Sequence, residues 1–197
     1  MQFLLILYPF LVHAAIIADS RGLEWAAMLL LGVNLLYAGL ARRALWAWLG
    51  LVAILVVSTW FVLLGDGRYF LYAAPVLICS ALAWMFGRTL MPGQVPLITR
   101  FAQAMSGPLS PEVQRYTRGV TKFWVALLTT LAVVNLLLAL FAPPVVWSLF
   151  TNFISYLLLG AVFLGEWLFR RRVLGADEAL GWWEYLRGLL RLDYRRL

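Results

Sequence analysis

The chain has 197 residues, of which 64% are hydrophobic and 13% charged, with a mean hydropathy of +0.88. A water-soluble globule of this length needs far more polar surface, so the composition excludes a soluble enzyme or binding domain and implies an integral membrane protein. The net charge of +7 lies in short basic stretches between apolar runs, the pattern of membrane orientation signals, so nucleic acid is not an expected partner.

The first apolar run, Phe3 to Ala18, has no Lys or Arg before it and is expected to be a retained first span, short and bent at Pro9. A polar turn, Asp19 to Glu24, leads to a second span, Trp25 to Ala41, which Arg42 and Arg43 end. The third span, Ala44 to Leu64, has 21 uncharged residues. At about 1.5 Å per residue these rise about 31 Å, enough for the hydrocarbon core. The turn Gly65-Asp66-Gly67-Arg68 precedes a fourth span, Tyr69 to Phe86, with an expected kink at Pro75. Residues 123 to 165 carry no charge over 43 positions, about twice one crossing, and Pro143-Pro144 divides them into spans Phe123 to Ala142 and Val145 to Phe169.

The expected fold is therefore all-α, an integral membrane bundle of about six transmembrane helices with interfacial helices on the cytoplasmic side. It divides into a four-span half (1–86), a basic cytoplasmic loop (87–122), a two-span hairpin (123–169) and a basic tail helix (170–197). With the N-terminus inside, fourteen Lys and Arg fall on the cytoplasmic side and only Arg21 and Arg68 outside. Both termini and the long loop are thus expected in the cytoplasm.

Two cytoplasmic pieces have helical character. In the loop, Leu97, Ile98, Phe101, Ala102 and Met105 share one face, with Arg100 and Gln103 opposite, the signature of a short helix lying on the membrane. Ser110-Pro111-Glu112 then reads as the start of a helix that runs on into the fifth span. In the tail, Trp182, Trp183, Leu186, Leu189 and Leu190 form an apolar side, preceded by Asp177 and Glu178 and followed by arginines.

Few residues in such a chain can carry chemistry. Glu166 is the one carboxylate inside a span-like run and stands four residues before Arg170, which suits either a helix-surface ion pair or a substrate or proton site. His13 is the sole histidine and Cys79 the sole cysteine, so one chain can build neither a multi-histidine metal site nor a disulfide. Asn34, Asn135 and Asn152 lie inside spans and are expected to hydrogen-bond between helices or line a polar cavity. The loop collects Arg88, Arg100, Arg115, Tyr116 and Arg118 among Pro92, Gly93 and Pro96. Positive-inside bias alone places arginines there, but an ordered arginine cluster can also engage a phosphate or carboxylate. Seven tryptophans, among them Trp124, Trp147 and Trp167, fall near span ends as an aromatic belt would. No catalytic constellation, metal site or cofactor motif is recognised.

The segments FGRTLMPGQVPLITRFA (86–102), RYTRGVTKFW (115–124), WSLFTN (147–152) and GEWLFRRR (165–172) resemble a family of uncharacterised six-span bacterial inner-membrane proteins, often encoded in gene clusters for aryl polyene-type lipids. The resemblance spans the second half of the chain; the first four spans match in hydropathy alone. It implies a place beside acyl carrier proteins, acyltransferases and other biosynthetic membrane proteins. Family members are sometimes labelled ketosynthase, yet that chemistry needs a nucleophilic cysteine with two basic partners, and here Cys79 and His13 stand alone in different spans. The expected function is a non-enzymatic accessory in synthesis or export of such a lipid, docking an acidic carrier protein or acyltransferase at the basic loop. The alternatives are a lipid or small-molecule transporter or flippase, and an intramembrane acyltransferase-like enzyme.

Overall fold

The computed structural model describes residues 2–64 and 67–173, and the expected tail helix with Asp177, Glu178 and Trp182 lies outside them. The described residues form helices α1 (Gln2–Ile17), α2 (Arg21–Ala41), α3 (Leu45–Leu64), α4 (Gly67–Arg88), α5 (Leu97–Ser106), α6 (Pro111–Phe141), α7 (Pro144–Leu149) and α8 (Ser155–Val173), with a π-helical turn, Phe150–Ile154, between the last two. No strand occurs among them. In hydrocarbon every backbone N–H and C=O must be satisfied within its own segment, which makes helix the available state for uncharged runs of this length.

Five stretches, in α2, α3, α4, α6 and the run from Pro144 to Arg170, are long and apolar enough to cross a membrane. The first of the six expected spans is α1, whose 16 residues rise only about 24 Å at about 1.5 Å each. Neither Pro9 nor Pro75 ends its helix. On α3 only Ala47 and Ser58 are buried, while Leu45, Trp46, Trp60 and Leu63 stand open. An apolar surface of that extent suits lipid and not water.

Local signals explain the ends. The polar turn before α2 is shorter than expected, because Arg21 to Glu24 join the helix behind Ser20 and the Glu24 N–H donates to the Ser20 carbonyl at 3.0 Å. Asp19 takes the left-handed conformation in that turn, at φ 45°. At the other end of α2, Arg43 sits at φ 54° while its N–H donates to Leu40 O and that of Ala44 to Gly39 O, both at 2.9 Å. This is a Schellman closure with arginine where glycine is usual. The paired arginines therefore end the helix by conformation as well as by charge.

The described residues form two compact units, those within Met1–Ile78 and Ala132–Tyr156 and those within Cys79–Leu131 and Leu157–Leu197, and the boundaries fall inside helices. In the first unit α2 packs on α1 and α3, and α1 on α7 and the π turn. Its core is Val12, Ile16, Ala27, Met28, Leu71 and Trp147. Trp147, expected in an aromatic belt, is instead 1% exposed, with Tyr72 against its ring at 4.4 Å. The π turn interrupts what the sequence presents as one span from Val145 to Phe169, and it buries Thr151 and Asn152. Turns of this kind widen a helix locally and are frequent at functional sites.

Candidate functional site

The second unit holds the polar stretch of the sequence in a defined shape. Gly93, at φ 78°, turns the chain after α4, and Gly107, at φ 77°, closes α5 by donating its N–H to Gln103 O at 2.9 Å. The start of α5 is tied back to α4: Thr89 Oγ1 accepts the Leu97 N–H at 3.0 Å and donates to Phe86 O at 2.7 Å. One of the N–H groups that a helix start leaves unpaired is thereby satisfied. Ser110 Oγ lies 3.4 Å from the Val113 N–H at the start of α6, which then continues unbroken to Phe141, as the sequence suggests.

Buried threonines, which nothing in the sequence pattern marked, join α5 to α6. Thr99 Oγ1 and Thr117 Oγ1 are 2.7 Å apart, and both residues are 2% exposed. Thr117 gives its own proton to Gln114 O at 3.1 Å, so Thr99 is the donor in the pair. Thr121 follows one turn later, donating to Thr117 O at 2.8 Å. Thr117→Val should therefore cost about 1–3 kcal/mol, because it leaves the Thr99 hydroxyl buried without an acceptor. Thr99→Val should cost less, and the double variant should recover most of the loss; thermal unfolding of the three purified proteins in detergent checks the order.

The loop arginines are largely committed to the loop itself. Arg100 donates from Nε to Val95 O at 2.9 Å and from Nη2 to Gln94 Oε1 at 3.1 Å. Arg118 Nη2 donates to Leu90 O at 3.2 Å, and Arg88 lies 5.0 Å above the Trp84 ring. Arg115 is exposed and makes no hydrogen bond among the described residues. A shallow cleft of mixed lining runs between Arg115 and Arg118 on one side and Gln94, Pro96 and Gln103 on the other.

Glu166 and Arg170 form the ion pair that their spacing implies, at 2.6 Å, with side chains only 11% and 13% exposed. Tyr116, fifty residues earlier, joins them: its hydroxyl donates to Glu166 Oε1 at 3.2 Å and its ring stacks on Phe169. All the donors converge on Oε1, since Arg170 Nε and Nη2 reach that same atom. No hydrogen bond to Oε2 is formed among the described residues.

Two grooves meet at Glu166. One, of about 480 Å³, is walled by Phe86, Ile98, Phe101, Trp124, Leu159 and Phe163 and ends on Glu166 and Arg170. Trp124 packs between Phe86 and Phe163, with ring centroids at 6.4 and 5.9 Å, so this belt tryptophan also forms a groove wall. The other, of about 560 Å³, lies between α6 and α8 over Gly119, Val120, Phe123, Val162 and Gly165, with Arg115, Tyr116, Glu166 and Phe169 also lining it. Their volumes are those of small-molecule sites, and apolar walls with a few convergent polar groups are what an amphiphile needs.

The intramembrane polar residues of the first unit make a separate cluster. His13 Nδ1 is 2.9 Å from Ser148 Oγ, and its ring meets Phe153 edge-on. Asn152 donates to Ser148 Oγ at 3.1 Å and to Ser148 O at 3.0 Å. Asn135 accepts from Thr151 across helices at 2.5 Å, the kind of contact expected of all three asparagines. Asn34 bonds instead to Leu30 O of its own helix, at 2.7 Å, and the bonds of Asn152 to Ser148 are likewise one turn back along the same run, because those groups are the nearest acceptors. Glu24, unnoticed in the sequence because it stands in a polar stretch, is 4% exposed in α2. Among the described residues no three His, Cys, Asp or Glu side chains converge as metal ligands. No protein-family model, curated protein or solved structure matches the chain.

Proposed function

We propose that this chain is a six-span protein of the bacterial inner membrane, with α1 as the short sixth span and both termini and residues 87–122 on the cytoplasmic side. In this role it is a non-enzymatic accessory in synthesis or export of an acyl or aryl polyene-type lipid. An acidic carrier protein or an acyltransferase docks on the basic surface of Arg88, Arg100, Arg115 and Arg118, and α5 lies at the membrane surface beside it. The observation that carries the proposal is the juxtaposition, within one unit, of an ordered basic segment and apolar grooves that end on charged groups. Arginines that donate to loop carbonyls keep their charge while being held in place, and fixed charge of one sign steers an acidic partner over roughly 10 Å.

The test is purification of the tagged chain from its native membrane in mild detergent, with proteins and lipids identified together by mass spectrometry. Recovery of an acidic protein bearing a phosphopantetheine arm, lost in the double reversal Arg115→Glu with Arg118→Glu while membrane insertion is unchanged, is the expected result. Recovery indifferent to that reversal overturns the docking role. The half-buried carboxylate shared by both grooves favours a second reading, a lipid transporter or flippase. A tightly held lipid with no carrier protein would support it.

A further inference from the structure

The groove between α6 and α8 is lined by Arg115 and Glu166 as well as by apolar residues. Its floor is open because Gly119 and Gly165 carry no side chain, and a Cβ at either would meet nothing within 4 Å. Phe123 and Val162 give the groove an apolar wall. At the polar end, Glu166 turns Oε1 to Tyr116 and Arg170, whereas Oε2 has no donor among the described residues. A carboxylate has about four lone-pair positions, so Oε2 is free to accept. Arg115, exposed on the same groove, is a cation without a hydrogen-bond partner among the described residues.

We infer that this groove binds a phospholipid whose headgroup carries both a phosphate and a primary ammonium group, the ammonium donating to Glu166 Oε2 and the phosphate facing Arg115. The inference rests on the reading of this unit as a surface for acyl lipids and adds the headgroup. An ammonium donor to a carboxylate makes a charge-assisted hydrogen bond, about twice as strong as one from a neutral hydroxyl. A phosphatidylglycerol headgroup therefore gains less at Oε2 while keeping the phosphate contact. Tyr116 and Arg170 hold the carboxylate in one orientation, so the acceptor is in place before the ligand arrives.

The measurement is native mass spectrometry of the full chain in detergent with an equimolar mixture of phosphatidylethanolamine and phosphatidylglycerol of identical acyl chains. Single-lipid adducts of the wild-type chain should favour phosphatidylethanolamine by about tenfold, the factor expected for one charge-assisted bond. Glu166→Gln should bring the ratio close to one without abolishing binding. Arg115→Gln, a change at an exposed position, should weaken both lipids several-fold and keep the ratio. Gly165→Leu should remove adducts of both by filling the groove. Equal adducts on the wild-type chain, or a preference that survives Glu166→Gln, overturns the headgroup assignment and leaves the acyl groove standing. Binding of both lipids unchanged by Arg115→Gln overturns the phosphate contact. Adducts that persist in Gly165→Leu, or none on the wild-type chain, overturn the groove as a lipid site altogether.

Discussion

Glu166→Ala should lower the unfolding free energy of the full chain by up to roughly 3 kcal/mol, the lower end of the range for removing one member of a buried ion pair, since this pair is partly buried. The cost is not the lost attraction itself but what stays behind. Arg170, only 13% exposed, loses the Glu166 carboxylate, and the Tyr116 hydroxyl loses its acceptor. Glu166→Gln should cost distinctly less, because the amide oxygen can still accept from Tyr116 and Arg170. Reversible unfolding in mixed detergent micelles, followed by circular dichroism, measures both. A loss below about 1 kcal/mol for Glu166→Ala would place the pair in the class of solvated surface bridges. The low exposure of both side chains argues against that.

The second large effect lies where α2 and α3 approach most closely. A Cβ on Gly39 would stand 2.6 Å from the Ala47 Cβ and from the Trp46 ring. Ala47 is fully buried and its Cβ is bonded directly to the backbone, so the clash can be relieved only by moving one helix. Gly39→Ala is expected to cost about 2–3 kcal/mol, as overpacking of a closed interface does. Gly32 looks alike in sequence but differs in what it faces: its Cβ would meet Ile54 Cδ1 and Cγ2 at 2.9 Å, atoms that side-chain rotation can withdraw. Gly32→Ala should therefore cost less than about 1 kcal/mol, part of it returned by the better helix propensity of alanine. Thermal denaturation of the two variants in the same detergent distinguishes them. Equal losses would mean that the helices adjust as rigid bodies at both positions.

Helix–helix contact of this kind is common where lipid surrounds the protein. Lipid tails are as apolar as leucine, so helices in a bilayer gain little by burying leucine against leucine and rely on close backbone approach and interhelical hydrogen bonds. The chain shows both devices in the pair α2 and α3: glycines at 32, 39 and 50 against Ile54, Ala47 and Leu36, and the Trp25 indole donating to Thr59 Oγ1 at 3.1 Å. The first unit adds the cluster of His13, Ser148, Asn152, Asn135 and Thr151. Buried Trp147 Nε1 and Ser155 Oγ have no hydrogen-bond partner among the described residues. This polar cluster thus lies beside the π turn, where the regular ladder of backbone bonds is already altered.

The apolar helices, most of their ends and the pairs fixed by helical geometry follow from local sequence. Uncharged runs must form helices in hydrocarbon, Pro143-Pro144 and the paired arginines stop them, and a Glu four residues before an Arg meets it on the same face whatever else is packed nearby. The amphipathic α5 and the unbroken start of α6 at Ser110-Pro111 were legible for the same reason, because their signals are local. Which helical faces meet depends instead on how the helices pack. α3 and α4 are apolar on every side, so no periodicity in their residues says which side is inward, and the contacts of Tyr116 with Glu166 and of His13 with Ser148 join positions 50 and 135 residues apart. The same holds for the loop arginines, whose charge was plain but whose donors turn to Val95, Gln94 and Leu90 once the chain closes on itself. A charged side chain near the edge of an apolar medium takes the nearest acceptor, and which acceptor is nearest depends on how the whole chain packs.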